Sequence, residues 1–305
     1  MNDSSQALQE LNAELLRDWP LPVHAPDDDK EARGHVLVIG GSRETPGAVL
    51  LAATAALRAG AGKLTIATGA SMAQQIATAI PESRVIALPE TASGGIAANA
   101  CAPIEALAEK IDAVLIGPGM LDEAATCAFV HALLPVFEGK PVVLDACAMS
   151  VVRGSQSYQE DAENVCDTHL VLTPHAGEMA HLLGEEKHAV RTDACTAARD
   201  AAKNWNAVVA LKGGTTIVAT PGGTAWRHAG DNPGLATSGS GDVLAGIIAG
   251  LAARGAGVEQ ATVWGVALHA QAGGQLARRI GAIGYLAREI ADEIPGVLQR
   301  LAGDD

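Results

Sequence analysis

Aromatic residues are scarce in this chain, with four Trp, two Tyr and two Phe among 305 residues. Alanine and glycine take their place, and the 34 glycines indicate close helix–sheet packing with many tight turns. The chain also lacks an apolar run long enough to span a membrane, and its N-terminal stretch has no apolar core typical of a signal peptide. We therefore expect a cytoplasmic protein that does not insert into membranes.

Positive charge is also in short supply. Lys and Arg together number 21 against 35 Asp and Glu, which gives a formal net charge of −14. No basic stripe offers the clustered contacts that a phosphate backbone requires, so a nucleic-acid partner is not expected. A small anion remains a plausible ligand, because backbone N–H groups can bind it in an acidic protein.

The cysteines show no metal-binding or paired pattern. Their number is odd, and neither a CxxC motif nor a Cys/His spacing typical of zinc sites is present. We expect reduced, mostly buried thiols at all five positions, which are Cys101, Cys127, Cys147, Cys166 and Cys195.

Two common nucleotide-binding signatures fail on inspection. The stretch "GAGKLT" resembles part of a P-loop, but Leu57 stands where the first glycine belongs, and Leu64 replaces the required Ser or Thr. No G-x-G-x-x-G follows the first predicted strand, which argues against a dinucleotide-type Rossmann domain.

The hydrophobic pattern predicts one α/β domain at residues 34–305, preceded by an extension at 1–33 that is predicted to be helical. Short Val/Ile/Leu runs alternate with helical stretches, which indicates a mostly parallel sheet covered on both faces. Pro-Gly-Gly at 221–223 separates two β-prone runs and predicts a hairpin. Helices are predicted at the end of the chain, at 242–254, 259–279 and 286–301.

Several predicted strands end in loops that are rich in glycine or charge. The carboxyl ends of parallel strands are where ligands bind in open α/β sheets, and five such loops predict a large crevice. They cover residues 40–47, 117–120, 145–149, 173–178 and 212–216.

The stretch "ATSGSGD" at 236–242 differs from the other loops because a long apolar helix follows it directly. Gly239 and Gly241 allow close approach of a ligand, and the free N–H groups at the helix start can hold phosphate oxygens. Asp242 in the first turn is expected to stay ionised in the field of the helix dipole, as a general base requires. Taken alone, the acid is better explained as a simple helix charge, because acids are common in the first turn of helices.

The context of this stretch decides between the two explanations. "TSGSGDVLAGIIAGLAARG" resembles the anion-hole signature of the ribokinase-like superfamily. "TPHAGEMAHLLG" is similar to the T-P-N-x-x-E segment of its vitamin-kinase branch, with His175 in place of Asn. "GHVLVIGGSRETPGAVLLAATAALRAGAGKLTIAT", "IGPGM" and "LKGGTTIV" resemble, in the same order, segments of the ADP/ATP-dependent (S)-NAD(P)H-hydrate dehydratases.

The resemblance covers about residues 34–300 and implies a ribokinase-like three-layer α/β/α fold. It implies a lyase of metabolite repair that dehydrates (6S)-hydrated NADH or NADPH, using ADP with Mg²⁺ and releasing AMP and phosphate. It also implies a homotetramer. An alternative of a different kind is a superfamily kinase acting on a vitamin-precursor alcohol, and a third is a nucleotide-binding module without catalysis.

The matching positions assign roles to individual residues. Asp242 is the expected base and also a contact of the hydrate, and the other hydrate contacts are Ala48, Gly119 and His175. The nucleotide segment is Lys212, Gly213, Gly214, Thr215 and Thr216, with Gly241 beside AMP, and the anion hole is Gly239, Ser240 and Gly241. Glu178 is expected to order Mg²⁺ through water, while Asn232 and Asp145 are expected to support the site.

Overall fold

The computed structural model describes residues 8–23, 25, 27, 29–153 and 169–303. Ten strands in the described chain form one sheet. They are β1 (Gln9–Glu10), β2 (His35–Ile39), β3 (Lys63–Gly69), β4 (Ser83–Leu88), β5 (Ala113–Ile116), β6 (Pro141–Leu144), β7 (His169–Leu172), β8 (Val208–Leu211), β9 (Thr215–Ala219) and β10 (Ala225–Ala229).

The strand order is β1-β10-β9-β8-β7-β6-β5-β2-β3-β4. Strands β2 to β8 are all parallel, whereas β9 runs antiparallel to both β8 and β10. The order reverses at β2, which pairs with β3 on one side and with β5 on the other. In such sheets, ligands usually bind where the strand order reverses, which here is at the carboxyl ends of β2 and β5.

Helices cover both faces of this sheet. In the described chain they are α1 (Ala13–Asp18), α2 (Pro46–Arg58), α3 (Ala73–Ala79), α4 (Ala102–Glu105), α5 (Glu123–Leu133), α6 (Ala176–Leu183), α7 (Lys187–Thr192), α8 (Ala194–Trp205), α9 (Ser240–Ala253), α10 (Val258–Arg279) and α11 (Ala287–Ala302). Short 3₁₀ helices lie at Ala108–Lys110, Leu134–Phe137, Ala146–Val152 and Pro233–Leu235.

Successive residues of each inner strand enter two different cores. Val36 and Val38 of β2 pack with α2, α9, α10 and α11, whereas Leu37 and Ile39 pack with α4, α5 and α8 on the other face. Strand side chains alternate between the faces of a sheet, so continuous apolar strands require cover on both sides. This arrangement confirms the predicted three-layer α/β/α fold with a mostly parallel sheet.

The predicted strands and the predicted hairpin at 215–230 are present, and the three last helices begin within two residues of their predicted starts. The N-terminal extension was predicted to be helical, but its described part contains a short strand as well as a helix. Its Gln9 and Glu10 pair with β10 as an edge strand, and only the six residues of α1 are helical in its described part.

Trp19 anchors this extension to the rest of the domain. Its ring stacks on Trp226 with a centroid separation of 5.8 Å. Its carbonyl oxygen accepts hydrogen bonds from Trp264 Nε1 at 2.8 Å and from Gln260 Nε2 at 3.2 Å. The extension thus packs against α10. The boundary predicted near residue 33 is a change in sequence pattern, and the residues on its two sides are in contact.

Four cysteines fall among the described residues, and all four are free thiols. Cys101 is buried, and Cys127, Cys147 and Cys195 are partly buried. Burial raises the pKa of Cys101, Cys127 and Cys147. The prediction for Cys166 lies outside the described residues.

Within the described chain, no helix combines the length and the apolar character that crossing a membrane requires.

Glycines bring α2 and α9 into direct contact. A Cβ placed on Gly246 would lie 2.1 Å from the carbonyl oxygen of Ala52, and one on Gly250 would lie 2.4 Å from that of Ala56. Neither site has room for a methyl group unless the helices move apart. The glycines therefore set the distance between α2, which carries Ala48, and α9, which carries Asp242.

Replacing Gly246 with Ala is expected to lower the free energy of unfolding by about 3 kcal/mol, because overpacking forces backbone shifts. The matched control is Gly274→Ala on α10, where the nearest atom to a new Cβ is Arg278 Nη1 at 3.8 Å. That change is expected to stabilise the protein by up to about 1 kcal/mol through helix propensity. Urea denaturation measures both, and equal effects from the two variants would contradict the contact.

Candidate functional site

Most of the predicted site residues gather at one edge of the sheet. Asp145 directly follows β6, His175 is the third residue after β7, and Lys212 directly follows β8. The carboxyl ends of these parallel strands face the first turn of α9, where Asp242 lies. The sheet thus unites groups that are up to 97 positions apart in the sequence.

Lys212 is the centre of this cluster. Its Nζ donates to Asp145 Oδ1 at 3.1 Å and lies 3.9 Å from Glu178 Oε2. Burial opposes the charge, but Asp145, Glu178 and Asp242 outweigh that effect, so the pKa of Lys212 is raised. Lys212 is a fixed positive charge, with 17% of its side chain exposed.

Asp145 is almost completely enclosed, with 3% of its surface exposed. Besides Lys212, its Oδ1 accepts a hydrogen bond of 2.6 Å from the hydroxyl of Thr173. A buried carboxylate needs such partners to offset its lost hydration. The next residue, Ala146, has a φ of +49°, a left-handed backbone conformation that is uncommon for alanine.

His175 caps the start of α6. Its Nδ1 accepts from the N–H groups of Gly177 and Glu178 at 3.0 Å each, and Glu178 Oε2 accepts from the His175 N–H at 2.7 Å. Nδ1 therefore serves as an acceptor, so the ring hydrogen belongs on Nε2. With 58% of the His175 side chain exposed, this Nε2–H group can donate to a ligand.

The start of α9 carries unpaired backbone donors. No side chain caps this helix, and its cap residue Gly239 has a φ of +88°. Within the described chain, the N–H groups of Gly241 and Asp242 have no hydrogen-bond partner. A Cβ on Gly241 would lie 3.1 Å from Lys212 Nζ, so the ammonium group lies close to the first turn of this helix.

Asp242 differs from expectation in its protonation. The helix dipole was expected to keep it ionised, but burial and the nearby carboxylates of Asp145 and Glu178 raise its pKa from 3.8 to about 7, against the lowering effect of Lys212. Desolvation and like charges thus outweigh the dipole. A carboxyl group with a pKa near neutrality is well matched to general-base catalysis.

Ala48 and Gly119 meet at the reversal of the strand order. A Cβ on Gly119 would lie 2.9 Å from Ala48 Cβ and 2.4 Å from the Thr45 carbonyl oxygen. Gly119 also has a φ of +69°, and its carbonyl accepts from the Thr45 hydroxyl at 2.7 Å. Small side chains at this point let the two segments approach each other closely.

The remaining predicted residues lie on either side of this cluster. Gly213 and Gly214 form the turn that leads from Lys212 into β9, which begins with Thr215 and Thr216. Asn232 shapes the loop before α9, since its Oδ1 accepts from the Gly234 N–H at 3.1 Å.

Sequence reasoning did not find Thr173 and His269. Thr173 lies in the quoted "TPHAGE" segment, so its position after β7 offered a signal for a partner of a strand-end acid. His269 lies in the middle of α10 and contacts Ser240 on α9. No local pattern marks a histidine on one helix as a partner of a serine 29 residues away.

The site has oxygen ligands but no preformed metal centre. In the described part of the chain, no three His, Cys, Asp or Glu side chains are arranged to hold a metal ion. The carboxylates of Asp145 and Glu178 surround the Lys212 ammonium group instead. Two surface cavities, of about 480 and 740 Å³, are lined by none of the predicted site residues.

Comparisons with known proteins agree on one family. A family model described as NAD(P)H-hydrate dehydratase matches residues 36–296. The ADP-dependent (S)-NAD(P)H-hydrate dehydratase of Xanthomonas campestris is 47% identical over 291 residues, which cover 95% of this chain and 96% of that protein. A bifunctional NAD(P)H-hydrate repair enzyme of Moorella thermoacetica is 40% identical over 97% of this chain and 56% of its own length.

Solved structures give the same result. The ADP/ATP-dependent NAD(P)H-hydrate dehydratase of Bacillus subtilis, co-crystallised with ATP and Mg²⁺, superposes with a TM-score of 0.80 at 26% identity. The match covers 97% of this chain and 99% of that one.

Proposed function

This chain belongs to the NAD(P)H-hydrate dehydratase family, and from that premise we propose that it restores NADH or NADPH from the (6S)-hydrate at the expense of ADP. The observation that carries the proposal is the cluster at the start of α9. There, two unpaired N–H groups, the Lys212 ammonium group and a carboxyl group with a pKa of about 7 lie together. This combination fits transfer of a phosphoryl group to a hydroxyl.

The chemistry requires that transfer because hydroxide is a poor leaving group. Asp242 takes the proton of the C6 hydroxyl while the hydroxyl oxygen attacks the terminal phosphorus of ADP, and AMP leaves. The lone pair of the ring nitrogen then expels phosphate from C6, and loss of a proton from C5 restores the dihydropyridine ring. Positioning and charge stabilisation supply most of the acceleration in such reactions.

The residues divide this work by position. The N–H groups of Gly241 and Asp242, with Lys212, bind the transferred phosphoryl group, and Gly213 to Thr216 line the nucleotide side. His175 Nε2–H, Ala48 and Gly119 contact the hydrate. Asp145 orients Lys212 through the 3.1 Å hydrogen bond.

Mg²⁺ would be held mainly by the phosphates of ADP, and Glu178 would contact it through water. When bound, the ion offsets phosphate charge. Oxygen donors of the kind that Mg²⁺ prefers are present in Asp145, Glu178 and Asp242. A homotetrameric assembly and a cytoplasmic location complete the proposal and remain predictions.

The direct test uses an epimeric mixture of NADPH hydrate with ADP and Mg²⁺. We expect the near-ultraviolet absorbance of reduced nicotinamide to recover until the S epimer is consumed, with one AMP and one phosphate released per NADPH formed. Omitting ADP is the control and is expected to abolish recovery. No recovery, together with phosphorylation of a hydroxymethyl vitamin precursor, would instead establish the kinase alternative. Binding of ADP without turnover of either substrate would favour a binding module.

The pH profile tests the role of Asp242 without a mutation. Only ionised Asp242 accepts the hydroxyl proton, and its pKa in the free protein is about 7. We therefore expect kcat/KM for the hydrate to rise with pH through about 7 and to level off above it. Glu178→Gln removes a like charge that raises this pKa, so the midpoint is expected to move to lower pH. A profile whose midpoint is unchanged in this variant would argue against Asp242 as the titrating group.

A further inference from the structure

A partly buried histidine on α10, His269, reaches the first residue of α9. His269 Nε2 lies 3.0 Å from Ser240 Oγ and 3.0 Å from the Ser240 carbonyl oxygen. Ser240 is itself 5% exposed, so the contact is enclosed between the two helices. The proposed reaction has no step for this histidine.

The contact with the carbonyl determines the tautomer of the ring. A carbonyl oxygen only accepts hydrogen bonds, so the hydrogen must be on Nε2. The same N–H group reaches Ser240 Oγ as a second acceptor. Burial lowers the pKa of His269 to about 4, and the positive charge of Lys212 acts in the same direction. The ring is therefore neutral at neutral pH and acts as a donor of fixed direction.

Holding the Ser240 carbonyl also holds the N–H of Gly241. The carbonyl of one residue and the N–H of the next belong to the same planar peptide unit. When His269 fixes the oxygen end of this unit, the direction of the Gly241 N–H is fixed as well. That N–H is unpaired within the described chain, and Lys212 Nζ lies close to the same residue.

The neighbouring residues make such a restraint useful. Gly239 and Gly241 flank Ser240, and glycine restricts the backbone less than any other residue. No side chain caps the helix start. The His269 ring restrains the peptide unit in the middle of this glycine-flanked turn.

We propose that His269 is a positioning residue, which orients the Gly241 N–H toward the transferred phosphoryl group by holding the Ser240 carbonyl. The inference rests on the proposed function for the identity of that group. In this role, a side chain on α10 supports the anion hole at the start of α9. His269 lies outside the sequence motifs that mark the site.

Two variants separate this role from simple packing. His269→Phe keeps a ring of similar size and removes the donor, whereas His269→Gln keeps an N–H donor. Inorganic phosphate is titrated calorimetrically onto protein saturated with AMP, and AMP is titrated alone. For His269→Phe we expect phosphate to bind about tenfold more weakly, since one donor loses its orientation, while AMP affinity is unchanged. His269→Gln is expected to recover most of the phosphate affinity.

Turnover provides a second readout. In His269→Phe we expect kcat to fall about tenfold with little change in KM for the hydrate, which loss of packing alone would not produce. His188→Phe on α7 replaces an exposed histidine and serves as the control. Wild-type phosphate affinity in His269→Phe, or equal losses in the Phe and Gln variants, would overturn the proposal.

The tautomer offers a test that needs no variant. Nitrogen–proton correlation NMR of the wild-type protein is expected to show the His269 hydrogen on Nε2, and a hydrogen on Nδ1 would refute the proposal. Because phosphate binding and the tautomer are measured without hydrate, they decide the role of His269 even if wild-type protein fails to turn over hydrate. That failure would count against the proposed function only.

Discussion

Replacing Asp242 with Asn is expected to lower kcat about 10³-fold, because the hydroxyl of the hydrate loses its general base. The same change is expected to stabilise the folded protein at pH 8. Folding raises the pKa of Asp242 from 3.8 to about 7, so the folded state holds a proton that the unfolded chain has released. As pH rises from 3.8 to about 7, the free energy of unfolding therefore falls. Above pH 7, ionised Asp242 lowers it by on the order of 4 kcal/mol.

The sign of this effect gives a sharp experiment. Asn carries no charge, so the difference in free energy of unfolding between variant and wild type should be small near pH 4 and largest above pH 7. Denaturation at both pH values measures it, and Asp200→Asn, an exposed acid on α8, is the control expected to change neither stability nor turnover. An Asp242→Asn protein that is inactive and also less stable at pH 8 would show that ionisation of Asp242 does not destabilise the folded protein.

Replacing Lys212 with Met is expected to lower the free energy of unfolding by about 4 kcal/mol at pH 7, because it leaves a buried charge unpaired. Asp145 is 3% exposed, and among the described residues it would retain only the hydrogen bond from Thr173. Activity is expected to fall as well, since the phosphoryl group loses a positive charge that cannot be replaced by a thioether.

A double-mutant cycle separates the two effects. In the Lys212→Met background, Asp145→Asn removes the unpaired charge and is expected to recover most of the lost stability and none of the lost activity. Lys203→Met replaces an exposed lysine near the end of α8 and is the matched control for loss of a charge. Additive losses of stability in the double variant would show that Lys212 and Asp145 do not act as a pair.

Both predictions concern residues that the sequence already singled out. Asp242 was recognisable because glycines precede it and an apolar helix follows it. Lys212 and Asp145 were recognisable because each comes at the end of a buried strand. Local pattern suffices for such positions, since the carboxyl ends of parallel strands meet at one edge of the sheet.

Other features depended on segments that are far apart in the chain. The pKa of Asp242 was expected to be low from the helix dipole alone, and it is raised because burial and the carboxylates of Asp145 and Glu178, from distant segments, outweigh the dipole. The contact of His269 with Ser240 follows from the crossing of α9 and α10. The pairing of Gln9 with β10 was likewise absent from the local pattern of the extension.

By itself, the sequence determined the order of strands and helices, the two-sided cover of the sheet and the edge that carries the site. These properties follow from the periodicity of apolar residues and from turn residues, which act over a few positions. The tertiary structure decided which side chains touch there and how strongly each carboxyl group holds its proton. Distances and desolvation are set by the packing of distant segments, and single-residue patterns do not encode them.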